Sequence, residues 1–201
     1  MILRTLLCTM CGFLLGAVPF SVWLPRWCLG VDVHQYGDGN PGSVNAWRAG
    51  GWRIGLPAFL LDYFKGVLPV GLAVFVLDII DWWLLPVALA PVLGHAFSPF
   101  LKFQGGKAVA VTFGVWTGLT IGEGPTILGL LVAWFGLVQT ADAWAMLLGM
   151  LGLGAHLVLR HASGPILGIW LGNTLVVGWK HRRDMRRPVL LRPWIRRLLR
   201  L

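Results

Sequence analysis

Residues 83–121 read WLLPVALAPVLGHAFSPFLKFQGGKAVAVTFGVWTGLTI and consist of two apolar segments joined by a short polar loop. The segments 83–100 and 109–121 contain no Asp, Glu, Lys or Arg, whereas the loop contains Lys102 and Lys107. An apolar segment without charges is typical of a membrane helix, although the second one is short for a full crossing. We therefore predict two membrane helices with the lysine-bearing loop at one membrane face.

The rest of the chain repeats this alternation of apolar segments and short polar loops. Of its 201 residues, 57% are hydrophobic and 12% are charged, whereas a soluble domain has about 45–50% apolar and about 25% charged residues. This composition predicts an all-α integral membrane protein, a bundle of about seven transmembrane helices in a single domain over residues 1–201. The predicted segments are 3–24, 55–77, 83–100, 109–121, 126–140, 142–159 and 164–179. The boundary near 139–142 is the least distinct, and six spans fit almost as well.

The distribution of Lys and Arg predicts the orientation in the membrane. With the N-terminus outside and the C-terminus inside, 15 of the 17 Lys and Arg residues are cytoplasmic, and only Arg4 and Arg160 are external. Cytoplasmic loops carry an excess of these residues, so we predict an N-out, C-in protein. The arginine-rich segment 180–201 is then a basic cytoplasmic tail that lies on anionic lipid, and nucleic-acid binding is disfavoured.

The predicted cytoplasmic loop 37–51 is rich in glycine and contains Asn40, Asn45 and Arg48. Glycine lets backbone N–H groups approach a ligand closely, and the planar guanidinium group of arginine suits phosphate or carboxylate. The segment is therefore a candidate anion-binding loop, with a tight surface loop carrying one interfacial arginine as the alternative.

A second glycine-containing segment, Gly105-Gly106-Lys107, precedes the predicted helix 109–121. A glycine turn before a helix presents unpaired N–H groups and the positive end of the helix dipole, and Lys107 adds a positive charge. These features predict a phosphate-binding loop, although the spacing is not that of a Walker A motif. His95, in the preceding helix, is either part of this site or a polar residue hydrogen-bonded inside the bundle.

Two groups of ionisable residues are predicted at the same membrane face. Asp62 and Lys65 share a helix face at a spacing of three residues, which is compatible with an ion pair and with a substrate contact. His181, Asp184 and Arg187 have the same spacing, and a histidine beside a carboxylate can carry a proton near neutral pH; a basic stop signal is the alternative. Together these groups indicate an anionic, phosphorylated ligand beside an apolar bundle that can hold an acyl chain. Carboxylates do not cluster, so no metal site is predicted.

The order and spacing of these motifs resemble the PlsY family of acyl-phosphate-dependent glycerol-3-phosphate acyltransferases, and the resemblance covers nearly the whole chain. The matching positions are Gly37, Gly39, Asn40, Gly42, Asn45 and Arg48 in the first loop, Asp62, Lys65 and Gly66 in the second helix, Gly94, His95, Phe97, Phe100, Leu101, Phe103, Gly105, Gly106, Lys107, Val109 and Ala110 around the second loop, and His181 and Arg187 near the C-terminus.

The resemblance implies a multi-pass enzyme of phospholipid synthesis in a bacterial-type cell membrane, with its active face cytoplasmic. Such an enzyme moves a fatty acyl group from acyl phosphate to glycerol 3-phosphate, forms lysophosphatidate and needs no cofactor or metal. The resemblance implies catalytic roles for His181, Arg48 and Lys107. The implied substrate- and phosphate-binding residues are Gly37, Asp38, Gly39, Asn40, Asn45, Lys65, His95, Lys102, Gly105, Gly106, Asp184 and Arg187.

Asp38 and Asp184 depart from the family pattern, which has Ser and Asn at these positions. An ionised carboxylate repels phosphate at close range. Either each aspartate pairs with an arginine such as Arg48 or Arg187, which retains glycerol 3-phosphate as the acceptor, or the aspartates bind hydroxyls of a less anionic acceptor. A diverged or inactive family member and a small-anion transporter are also compatible with these residues. A transporter places its site near the membrane midplane, and the charges here lie at the membrane edge, which favours the enzyme.

Overall fold

The computed structural model of the protein describes residues 1–198, so Arg200 of the predicted tail lies outside the described residues. The regular structure of the described part is helical, which confirms the all-α prediction, and an isolated antiparallel bridge joins Gln139 to Leu191. The α-helices are α1 (Ile2–Ala17), α2 (Phe20–Leu29), α3 (Ser43–Phe75), α4 (Leu84–Ala96), α5 (Val109–Thr120), α6 (Glu123–Val138), α7 (Asp142–Leu159), α8 (Gly164–His181) and α9 (Pro193–Leu198).

Helices long and apolar enough to cross a membrane occur in four places within residues 1–198, and each predicted apolar segment overlaps a helix. These four segments are Ile2–Leu29, Ser43–Phe75, Asp81–Leu101 and Asp142–Leu159. The apolar helices α5 and α6 have 12 and 16 residues, which corresponds to about 18 and about 24 Å at about 1.5 Å per residue. Both are shorter than a hydrocarbon core of about 30 Å.

The first predicted segment, 3–24, is interrupted in the structure. α1 ends at Ala17, and Pro19, which precedes α2, has no N–H to continue the helical hydrogen bonds. The carbonyl of Val18 accepts hydrogen bonds from the Phe20 N–H at 3.1 Å and from Lys65 Nζ of α3 at 2.9 Å. The break therefore joins the first apolar segment to the second through a charged side chain.

The glycine-rich segment 37–51 is a loop only in its first part, so its prediction as a continuous loop is wrong. α3 begins at Ser43 and bends at Gly51, whose φ is 64°. Glycine adopts this left-handed conformation without a steric penalty. Arg48 consequently lies on a helical turn, which holds it more rigidly than a loop would.

The chain does break at the indistinct boundary near 139–142. α6 ends at Val138 and α7 begins at Asp142. The Gln139 side chain bridges the gap, because its Nε2 donates to the Ala141 carbonyl at 2.9 Å and its Oε1 accepts from the Ala141 N–H. The fifth and sixth predicted segments are therefore separate helices.

α3 and α5 cross in close contact because each has glycine at the crossing point. A Cβ at Gly66 would lie 2.5 Å from the carbonyl oxygen of Val111, and a Cβ at Gly114 would collide with the carbonyl of Tyr63. Small residues let membrane helices approach closely. Gly66, which belongs to a motif with candidate site residues, thus has a packing role.

Three polar side chains that the sequence analysis did not single out connect α5 to α8 inside the bundle. Asn173 Nδ2 donates to Thr112 Oγ1 at 2.9 Å, and Trp116 Nε1 donates to Asn173 Oδ1 at 3.2 Å. All three residues have 0% exposure. Satisfied polar groups of this kind hold membrane helices together, so α5 is tied to its neighbours on two sides.

Candidate active site

A cavity of about 540 Å³ lies between the loop before α3, the starts of α5 and α7, and the chain after α8. One part of it is charged and another part is apolar. The polar and charged lining residues include Asp38, Asn40, Asn45, Arg48, Asp62, His95, Lys107, His181, Asp184 and Arg187, and the apolar ones include Phe59, Val109, Ala110, Val132, Ala145 and Met146. Most of the predicted site residues therefore share one cavity although they come from distant parts of the chain.

Lys107 lies between two carboxylates in the charged part of the cavity. Its Nζ is 2.5 Å from Asp38 Oδ2 and 2.7 Å from Asp184 Oδ2. Burial opposes the charged form of Asp38, but hydrogen bonds from Lys107, Asn45 and the Asn40 backbone outweigh it and lower the pKa of Asp38 to about 2. Burial likewise opposes the charge of Lys107, but its hydrogen bonds to Asp184 and Asp38 raise its pKa. At neutral pH Lys107 is consequently a cation and not a proton acceptor.

The predicted pairing of Asp38 with Arg48 is wrong, because Lys107 takes that place. Arg48 Nη1 instead donates to Asn45 Oδ1 at 3.1 Å. The predicted pairing of Asp184 with Arg187 is present at 3.4 Å, alongside the shorter contact with Lys107. Arg48 has no carboxylate partner within residues 1–198, which leaves its charge available to an anion.

The loop before α3 holds Asp38 in place. Asp38 Oδ1 accepts from Asn45 Nδ2 at 2.7 Å and from the Asn40 N–H at 3.2 Å. Gly37 and Gly39 have φ values of 58° and 72°, and a Cβ at Gly37 would collide with the side chains of Arg48 and Asn45. These two glycines therefore shape the loop but do not line the cavity themselves.

Gly106 does not offer a free N–H group to the cavity in the way that the sequence predicted, and neither Gly105 nor Gly106 is among the lining residues. The Gly106 N–H donates to the His95 carbonyl at 3.1 Å, and the Gly105 carbonyl accepts from Lys180 Nζ at 2.7 Å. The next residues, Ala108 to Ala110, line the cavity. Val109 and Ala110 lie in the first turn of α5, where N–H groups lack helical partners, so the unpaired N–H groups nearest the cavity lie a few residues after the predicted ones.

Asp62 and Lys65 form a buried ion pair, with Lys65 Nζ 2.7 Å from Asp62 Oδ1. Ser21 donates a hydrogen bond of 2.5 Å to Asp62 Oδ2, and Lys65 also binds the Val18 carbonyl. Lys65 does not line the cavity, whereas Asp62 and His95 do. Of the two roles considered for Lys65, the ion pair and a substrate contact, the structure shows the ion pair. Lys102, another predicted binding residue, is exposed and lies outside the cavity.

His181 ends α8 and presents one ring nitrogen to its own helix. Its Nδ1 lies 2.8 Å from the carbonyl of Val177, and a carbonyl can only accept, so Nδ1 carries the proton in the neutral ring. Nε2 is then an acceptor in a residue that is 4% exposed and lines the cavity. That arrangement suits an interaction with a hydroxyl group.

The junction of α6 and α7 also lines the cavity, which the sequence analysis did not foresee. Thr140, Ala141 and Asp142 contribute to the lining, although this segment matches no motif quoted above. The one feature of the sequence that points to this segment is its place in the predicted topology. It follows a predicted helix that ends at the same membrane face as the two glycine-containing loops.

Comparisons with known proteins find relatives over most of the chain. The family model described as "Glycerol-3-phosphate acyltransferase" matches residues 6–190. A Thermotoga maritima protein named "Glycerol-3-phosphate acyltransferase 1" is 41% identical over 189 residues, with 87% of this chain and 93% of that protein covered. A Deinococcus radiodurans protein of the same name is 36% identical over 187 residues and covers 93% of each chain.

Two solved structures have the same fold. A crystal structure of PlsY, an integral membrane glycerol 3-phosphate acyltransferase, in its glycerol 3-phosphate form has a TM-score of 0.85 and 28% identity, with coverage of 92% of this chain and 91% of that one. The lysophosphatidic acid form of PlsY has a TM-score of 0.82 and 26% identity with the same coverage.

Proposed function

The chain belongs to the glycerol-3-phosphate acyltransferase family, and from this premise we propose that it transfers an acyl group from an acyl phosphate to glycerol 3-phosphate. The observation that carries the proposal is a single cavity with a charged part, which contains Arg48 and Lys107, and an apolar part. An acyl phosphate has a phosphate group and an alkyl chain, so both ends of the donor find a matching environment. The products are lysophosphatidate and phosphate.

The charged part of the cavity binds the phosphate groups in this proposal. Arg48 supplies a guanidinium without a carboxylate partner among residues 1–198, Lys107 an ammonium group, and the first turn of α5 unpaired N–H groups. Arg187 adds a further charge on the other side of Asp184. Lys107 also contacts Asp38 and Asp184, so a phosphate group competes with these carboxylates for its ammonium group.

The apolar part of the cavity, between Phe59, Val132 and Met146, accommodates the acyl chain. This places the acyl carbonyl between the apolar residues and the cationic phosphate site. The apolar side chains keep the alkyl chain out of water, which orients the donor while the reaction takes place.

The reaction needs no protein-bound intermediate. A hydroxyl oxygen of glycerol 3-phosphate attacks the acyl carbonyl carbon, the bond from that carbon to the phosphate oxygen breaks, and the departing phosphate takes the hydroxyl proton. His181 Nε2 orients the attacking hydroxyl and is the alternative proton acceptor. Positioning of both substrates and stabilisation of negative charge by Arg48 and Lys107 then supply most of the rate enhancement.

A reconstituted assay tests this function directly. Purified protein is incubated with acyl phosphate and a panel of acceptors that contains glycerol 3-phosphate, other phosphorylated polyols and glycerol, and lipid products are measured. We expect lysophosphatidate only when acyl phosphate and glycerol 3-phosphate are both present. Acylation of another acceptor in place of glycerol 3-phosphate would support a diverged enzyme. Anion flux in proteoliposomes without any lipid product would support a transporter.

We further propose that the chain crosses the membrane seven times, N-out and C-in, in a bacterial cell membrane with the cavity on the cytoplasmic side. The Lys and Arg distribution supports this orientation. The loops that form the charged part of the cavity are those that this distribution assigns to the cytoplasm. Glu123, in a predicted external turn, pairs with His156 and Arg160 away from that cavity.

This topology predicts opposite labelling of two engineered thiols in a variant without Cys8, Cys11 and Cys28. In intact cells, a membrane-impermeant maleimide should react with Gly122→Cys, at a position with no atom within 4 Å of its Cβ site. Arg196→Cys, at an exposed position of α9, should react only after the cells are permeabilised. The reverse pattern would contradict both the orientation and a cytoplasmic active site.

A further inference from the structure

No residue in the second half of α6 is buried, although this half forms part of the cavity wall. The buried residues of α6 are Gly124 and Leu128, both in its first half, while Val132 and Gly136 line the cavity. In a bilayer, apolar side chains gain little by exchanging lipid contacts for protein contacts. The second half of α6 therefore requires other interactions to keep the wall in a defined position.

The side chain and backbone of Arg192 supply such interactions. Its Nε lies 2.9 Å from the carbonyl of Gly136 and 3.2 Å from the carbonyl of Gln139, and its backbone N–H donates to the carbonyl of Val138 at 3.0 Å. The last carbonyl groups of a helix lack helical partners, and a cation there is stabilising. Arg192 thus caps the cavity end of α6.

Two more hydrogen bonds attach the same segment of the tail to the α6–α7 junction. Trp194 Nε1 donates to the carbonyl of Leu137 at 3.1 Å, and the Thr140 N–H donates to the carbonyl of Leu190 at 3.0 Å. Thr140 itself lines the cavity. The tail consequently fixes both the end of α6 and the first residues of the junction.

Arg192 differs in this respect from the neighbouring tail arginines. Arg192 is half-buried, whereas Arg196 is exposed, and within the described residues no side-chain hydrogen bond joins Arg196 to the rest of the protein. Arg192 and Trp194 also lie beyond residues 6–190, which the family model matches. Membership of the family therefore assigns no role to them.

We propose that Arg192 is a positioning residue that holds the α6–α7 wall of the cavity in place for the acyl donor. The inference rests on the proposed function, since it assumes that the acyl chain lies against Val132 and Gly136. Arg192 does not touch the reacting atoms; it acts through the carbonyl groups at the end of α6. Loss of its guanidinium frees the wall and weakens donor binding.

Kinetic measurements on Arg192→Ala in lipid nanodiscs test the proposal. We expect the KM for acyl phosphate to rise about tenfold, the lower end of what one hydrogen bond to a charged group contributes. The KM for glycerol 3-phosphate should change less than about twofold, within the effect of a neutral surface substitution. Arg192→Lys, which retains a donor and a charge, should recover part of the donor affinity, and Arg196→Ala, which removes the same charge from the same tail, should behave like the wild type.

Amide hydrogen exchange tests the positioning role separately from catalysis. In Arg192→Ala, the amides of residues 136–144 should exchange at least about tenfold faster than in the wild type, on the same estimate, with the amides of α8 unchanged. Unchanged exchange in this segment overturns the proposal, whether or not the protein is active. Equal increases in KM for both substrates, or an equal effect of Arg196→Ala, also overturn it, since they indicate global damage or lipid attachment of the tail.

A wild-type protein that fails to acylate glycerol 3-phosphate refutes the proposed function, and the exchange result still decides the role of Arg192 as a cap. If Arg192→Ala does not fold, Trp194→Phe, which removes the indole N–H and retains an aromatic ring, gives the same exchange test.

Discussion

We expect the Lys107→Ala enzyme to have a kcat/KM about a hundredfold or more below that of the wild type. A hydrogen bond to a charged group contributes about 1.5–3 kcal/mol, which corresponds to about ten- to hundredfold. The loss should reach the upper end because Asp38 and Asp184, 2.5 and 2.7 Å from the ammonium group, remain without their shared cation. Asp38, left without a cation, and Asp184, left with Arg187 at 3.4 Å, then repel the phosphate groups of both substrates. Initial rates with acyl phosphate and glycerol 3-phosphate measure the effect.

A second set of variants separates the lost contact from the new repulsion. In the Lys107→Ala background, Asp38→Ser with Asp184→Asn should restore part of the activity, because these changes remove the repelling charges but not the missing contact. Arg53→Ala, which removes an exposed charge stacked on Trp52, should retain normal activity. Full activity in a well-folded Lys107→Ala enzyme would show that this lysine does not bind phosphate.

The largest expected effect on stability comes from a substitution at the crossing of α3 and α5. A Cβ at Gly66 would lie 2.5 Å from the carbonyl oxygen of Val111 and 2.8 Å from the backbone nitrogen of Val115. Backbone atoms cannot rotate away as a side chain can, so the helices must separate. Overpacking costs about 1–3 kcal/mol, and at about 2–4 °C for each kcal/mol in a chain of this size we expect Gly66→Ala to lower the Tm by about 2–12 °C. Gly66→Leu should prevent folding.

Gly71 provides the matched control on the same helix. A Cβ there would lie 3.9 Å from its nearest atom, the Cα of Gly118, which is an ordinary contact distance. Because alanine is a better helix former than glycine by about 1 kcal/mol, Gly71→Ala should maintain or raise the Tm. Thermal unfolding in detergent, followed by size-exclusion chromatography, measures both variants. Equal Tm values for Gly66→Ala and the wild type would mean that the crossing has room for a methyl group.

Several site residues were predictable from their local sequence. One pattern is the glycine-rich segment that contains Arg48, and the other is Lys107 directly before an apolar helix. The chemistry that each pattern indicates depends on residue type and spacing alone. The cavity contains both residues. By contrast, local spacing did not predict that Lys107 would pair with Asp38, which is 69 positions away in the chain. The nearer Arg48 was the expected partner, but α3 begins early enough to direct it toward Asn45.

The roles of the glycines illustrate the same difference. Gly105 and Gly106 have the composition of a phosphate-binding loop, but the three-dimensional packing of His95 and Lys180 occupies their polar groups. Gly66 is adjacent to Lys65 in a motif of candidate site residues, yet it serves the contact with α5. A glycine motif does not distinguish close approach to a ligand from close approach to another helix, because both need the absence of a side chain.

The sequence by itself determined the class of the protein, since a chain with 57% hydrophobic and 12% charged residues must place most of its helices in lipid, where each helix satisfies its own backbone hydrogen bonds. It also determined which segments carry anion-binding groups, because those properties are local. The tertiary structure alone decided which groups meet: the two carboxylates at Lys107, Lys65 with the carbonyl of Val18, and the tail that caps α6. These contacts join residues far apart in the chain, and they form only when the helices cross in the right places. Glycine and buried polar side chains determine where the helices cross, because they set how closely two helices can pack. A local sequence pattern does not contain those distances.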